Sequence, residues 1–172
     1  MNNSSETHSA KPEDIFTELP FGEQILLWGV RIWVNGHKNN SNIQTLLRSA
    51  YTYAGVPKAH AGLETLMKMI TTAGCGVMDV RCPSCSKISY DEHRLMAAIA
   101  AWQHGKGPYD GDIFLQCWAK PAILRILRPV ARMLAEALKE GGVVIRPRPW
   151  SLHQISNESQ SINSDLHSVT IH

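Results

Sequence analysis

The stretch from Ser41 to Gly74, SNIQTLLRSAYTYAGVPKAHAGLETLMKMITTAG, constrains the fold of this chain more than any other. Ile43, Leu46, Leu47, Ala50, Tyr51 and Ala54 recur at intervals of three and four, the period of a single buried helical face. Ser41 and Gln44 have the spacing of a capping box, in which a hydroxyl and an amide satisfy two backbone N–H groups at a helix start. Gly55 stands where a left-handed closing residue belongs, and Pro57 can open a second helix at its first position. That second helix, to about Thr72, buries Leu63, Leu66, Met67 and Ile70, and Gly74 ends it.

The same logic extends outwards. A helix from Pro20 to about Asn35 is apolar almost all round, which suits a central position or a subunit interface, and Gly36 is expected to stop it. Ser89 and Glu92 form another capping box, opening a helix over Tyr90–Gln103. After the loop HGKGPYDGD, a short helix is expected from Ile113 to Ala119, with Asp112 as its cap. Pro121 opens a longer one to about Lys139, which Pro129 should kink or split. GGVVIRPRPW reads as extended and could pair with GVMDV as a minor two-stranded element. The expectation is an all-α bundle of about six helices with short connections over residues 13–150. Polar ends without apolar period, 1–12 and 151–172, read as disordered tails.

Composition narrows the function classes. A chain of 172 residues that is 44% hydrophobic can build one real core. It has no apolar run of membrane-spanning length, and its polar beginning does not resemble a secretory signal. A cytoplasmic setting follows, in which the four cysteines are expected as thiols or thiolate ligands rather than structural disulfides. The net charge is only +2, but it is unevenly spread: the first residues are acidic and the segment 120–148 is basic.

The chemistry concentrates in CGVMDVRCPSCSKISYDEHR, which holds Cys75, Cys82, Cys85 and His93. Two cysteines separated by two residues can bite one metal ion from a tight turn. A zinc site would recruit Cys75 as a third ligand and Cys117 or His93 as the fourth, stapling the loop between two helices. The cysteine spacing matches neither ferredoxin pattern, so an iron–sulfur cluster is the lesser cofactor. The alternative is a thiol–disulfide couple of Cys82 and Cys85, with the charges of Arg81 and Lys87 favouring thiolates. Simple burial is the plain explanation of Cys75 and Cys117 taken singly.

Three further features bear on function. Residues 43–72 superficially resemble a helix-turn-helix, which opens a DNA-binding reading, although Tyr51 and Glu64 fall where small and apolar residues are normal. Arg125, Arg128 and Arg132 share one helix face and form a candidate surface for an acidic partner. The apolar first helix offers a route to self-association. The leading expectation is a non-enzymatic binding or regulatory protein built around a cysteine site, with zinc as the cofactor and a protein as the partner.

Overall fold

The computed structural model describes residues 15–105 and 107–148. The expected tails, 1–12 and 151–172, lie outside the described residues. After a 3-10 turn at Phe16–Glu18 come α1 (Phe21–Lys38), α2 (Gln44–Tyr53), α3 (Pro57–Ala73), α4 (Tyr90–His104), α5 (Asp112–Leu115) and α6 (Pro121–Glu140). No strand occurs among these residues, and the architecture is an all-α bundle. No helix is long and apolar enough to cross a membrane among them.

The core assembles around α3, which packs against α6, α2 and α1, while α4 closes the bundle on α6, α5 and α1. Leu63 and Leu66 of α3 meet Leu127, Leu134 and Leu138 of α6 in a common core, all wholly buried. Burial stabilises each such leucine by about 2 kcal/mol. α1 belongs to the same core through Leu26, Leu27, Val30 and Trp33.

The turn between α2 and α3 forms as its residues predict. Gly55 has φ +78°, a left-handed conformation that suits glycine, and Pro57 opens α3. Tyr51 is buried with its hydroxyl 3.4 Å from the Ile25 carbonyl. The small residue that makes room for it is Gly29 of α1, where a Cβ would come within 2.9 Å of the Tyr51 ring.

Several local expectations fail, each for a physical reason. Gly36 does not stop α1 but lies inside it, because Ile43 packs where a Cβ would stand, 2.6 Å from its Cγ1. The capping box at Ser41 does not form. α2 begins later, Asn42 Oδ1 accepts the Gln44 N–H at 3.2 Å, and the Gln44 amide is drawn instead to His60 Nε2 at 3.1 Å. Asp112 is not a cap: it lies inside α5, which is shorter than expected, and its carboxylate is bound by Arg128. Pro129 does not split α6, which continues through it. The proline sits on the exposed side, where water can serve the Arg125 carbonyl that loses its intrahelical donor.

The extended segment 143–148 does not pair with 76–80, because side chains take its backbone groups. Buried Gln103 donates to the carbonyls of Ala135 (3.1 Å) and Val143 (3.0 Å) and accepts the Ile145 N–H (2.7 Å). Glu23 Oε1 accepts the Arg146 N–H at 3.1 Å.

Candidate functional site

The link between α3 and α4 carries the cysteines. It is irregular over residues 74–89, and its fixed points are hydrogen bonds from its ends and its middle. At the far end the Ser89 capping box forms in full: Ser89 Oγ accepts the Glu92 N–H at 3.1 Å, and Glu92 Oε2 accepts the Ser89 N–H at 2.9 Å. The Ser89 hydroxyl also donates to the Asp79 carbonyl, and Asp91 Oδ2 accepts the Asp79 N–H at 2.7 Å. Burial holds the Asp91 carboxyl above its usual range, against the lowering effects of that N–H and of Arg94.

Within this frame Cys82 and Cys85 are joined by a disulfide across a turn closed by the Cys85 N–H and the Cys82 carbonyl at 3.0 Å. Cys82 is exposed and Cys85 half-buried. The Ser84 hydroxyl lies 3.6 Å from Cys82 Sγ.

The turn is clamped by a buried ion pair. Arg31 of α1 meets Glu92 of α4 through Nε–Oε1 at 2.7 Å and Nη2–Oε2 at 2.9 Å, with both side chains fully removed from solvent. The remaining donors of Arg31 go to the loop, Nη1 to the Cys85 carbonyl at 2.6 Å and Nη2 to the Lys87 carbonyl at 2.9 Å. Glu92 Oε1 also accepts the Arg81 N–H at 3.2 Å. The backbone is therefore held on both sides of the disulfide. Buried charge is tolerated because every formal partner is supplied at close range. The loop in turn holds the first described residues: the Phe16 N–H donates to the Ser86 carbonyl at 2.7 Å, Ile15 bridges to Lys87, and the Phe16 ring stands 4.7 Å from the Arg31 guanidinium.

The other residues of the expected zinc centre are placed differently. Cys75 and Cys117 carry free thiols, the first exposed and the second half-buried. Their chain segments run side by side, since the Cys75 N–H donates to the Trp118 carbonyl at 2.9 Å. Burial pushes the Cys117 thiol up to about 11, against the lowering influence of the neighbouring Arg94. His93 lies in the first turn of α4 and is half-buried. Among the described residues, no group of three or more His, Cys, Asp or Glu side chains is placed to hold one metal ion. Cys82 and Cys85 are joined to each other, and the buried Arg31–Glu92 pair ties α1 to α4 beside them.

The arginine row of α6 is divided. Arg128 turns to Asp112, with Nε 2.9 Å from both carboxylate oxygens, and lies over the Tyr109 ring. Arg132 reaches Glu136 at 3.4 Å, and Arg125 is exposed. In the helix pair offered for DNA, Lys58 and Lys68 are ion-paired with Glu140 and Glu64.

Two clusters escaped the sequence reading, the Arg31–Glu92 clamp and a second one at Glu23. The fully buried Glu23 carboxylate takes Arg146 at 3.1 Å and Arg148 at 2.7 Å. The signal was present for both: Glu23 and Arg31 are the charged residues flanking the apolar run of α1, and buried charge demands a partner. No protein-family model matches this chain, and no curated protein or solved structure matches it significantly.

Proposed function

We propose that this is a non-enzymatic binding or regulatory protein whose responsive element is the Cys82–Cys85 couple. The observation that carries the reading is a disulfide, exposed at Cys82 and half-buried at Cys85, set in a loop whose backbone is clamped on both sides by one buried ion pair. Clamping keeps the two sulfurs close in the reduced state, which favours reversible closure over irreversible wandering of the loop.

The exchange is balanced with a dithiol as reductant. Its thiolate attacks the exposed Cys82 sulfur, Cys85 leaves as thiolate, and a mixed disulfide forms on Cys82. The reductant's second thiolate then attacks its own sulfur in that mixed disulfide and releases Cys82. Two electrons and two protons have passed to the protein, and the reductant has become a disulfide. What the loop controls is the seat of residues 15–19, because the carbonyl of Ser86 and the backbone of Lys87 hold Phe16 and Ile15.

The test is a redox titration of the full chain in dithiol buffers, read by alkylation and mass spectrometry. A reversible two-electron transition confined to the Cys82–Cys85 peptide is expected, with the Cys82→Ser variant showing none. A pair that stays fully reduced, or that cannot be re-oxidised, ends this reading. Zinc is the second reading. What supports it is that reduction of the pair leaves four thiols, two of them, Cys75 and Cys117, on segments that run side by side. Stoichiometric zinc in reduced protein, lost in Cys82→Ser, would select it.

A further inference from the structure

α6 has two apolar faces, and among the described residues only one is packed against the core. Leu124, Leu127, Ala131, Leu134, Ala135 and Leu138 face the core. On the opposite side Ala122, Ile126, Pro129 and Met133 recur at four, three and four residues, the spacing of a helix–helix seam. Ile126 is 57% exposed and Met133 51%, both far from the burial of their counterparts across the helix. Along one edge of this seam stand Arg125 and Glu136, both exposed. Arg128, the middle arginine of the row, does not compete for this edge, because it is taken by Asp112.

We infer that this face is the contact between two copies of the chain, with the α6 helices packed antiparallel about a two-fold axis beside Pro129. The charge order selects this occupant and this direction. When two copies of α6 run antiparallel with Pro129 near the axis, Ile126 of one copy meets Met133 of the other. Arg125 then lies opposite Glu136. The symmetry makes each contact occur twice, so the surface is complementary to itself, as an isologous interface requires. A parallel pair about its two-fold axis would instead carry the two Arg125–Glu136 edges to opposite sides of the seam, so neither charge would meet its opposite. The intrachain contact of Glu136 with Arg132, 3.4 Å and well exposed, is the kind of pair that contributes little and can be shared. One helix pair is small beside a standard interface of about 800 Å² per partner, so the dimer is reversible and forms with rising concentration.

The contact is independent of the state of the cysteines. Sedimentation velocity on the full chain, from low to high micromolar concentration, should show a reversible shift from monomer to dimer. Arg125→Glu and Glu136→Arg should each weaken association about tenfold through like-charge contacts. The double variant R125E/E136R, with the pairs restored in reverse, should recover it to within about threefold. Far-ultraviolet circular dichroism of each variant checks that the surface changes leave the helices intact. A chain that stays monomeric throughout, single variants that associate like the parent, or a double variant no better than the singles would each overturn the assignment.

Discussion

Arg31 and Glu92 lie 61 positions apart in the chain, and they meet in two charge-assisted hydrogen bonds of 2.7 and 2.9 Å with no solvent around either side chain. Glu92 also closes the cap of α4, and Arg31 also holds the carbonyls of Cys85 and Lys87. One pair thus sets the approach of α1 to α4 and the path of the cysteine loop.

Removing either partner strands the other as a buried charge. Arg31→Met or Glu92→Gln should each cost about 3–5 kcal/mol in chemical denaturation. The double variant R31M/E92Q should cost clearly less than the sum of the two, since no charge is left without its partner. Strict additivity would mean that the two side chains do not act as a unit.

The two free thiols should differ sharply in reactivity. Cys75 is exposed, whereas Cys117 is half-buried with its thiol pushed up to about 11. Only about one Cys117 in a thousand is thiolate at a pH near 8. In unreduced native protein, iodoacetamide should therefore modify Cys75 first and Cys117 hardly at all, as read by peptide mass spectrometry. Labelling at equal rates would show that the segment around Cys117 opens readily.

The Glu23 cluster makes stability depend on acid. Burial alone would raise its carboxyl, but the hydrogen bonds of Arg146 and Arg148, with the charge of Arg148, hold it below the ordinary glutamate value. The native state then binds fewer protons than the unfolded one. The stabilisation is complete above the ordinary glutamate range and is lost as pH falls through the lowered native value. Urea unfolding from about pH 7 to about pH 3 should show this decline, and Glu23→Gln should flatten it while costing stability at neutral pH. Equal slopes for the two proteins would remove Glu23 from the acid response.

Much of the scaffold was legible in the chain. α3, α4 and α6 start where Pro57, Ser89 and Pro121 announce them, and α3 and α4 end beside Gly74 and Gly105. These signals are local: an apolar period, a cap and a stop each act within a turn or two of backbone. The candidate site was legible only in part. The Cys82–Cys85 spacing announced a pair within reach of each other, but not the buried Arg31–Glu92 pair that organises the surrounding chain. Arg31 is a lone charge among the apolar residues of α1, and its partner Glu92 lies 61 positions further along the chain.

The two capping boxes show where the boundary falls. Ser41–Gln44 and Ser89–Glu92 carry the same local pattern, so sequence alone treats them alike, as it treats every helix whose period and stops are short-range. Only the second forms, because tertiary packing brings His60 to the Gln44 amide, whereas it brings Arg31 to a Glu92 carboxylate that can serve the cap as well. The helices follow from contacts within a few residues. The clamp on the cysteine loop depends on charges remote in sequence being buried together, a requirement that no local pattern encodes.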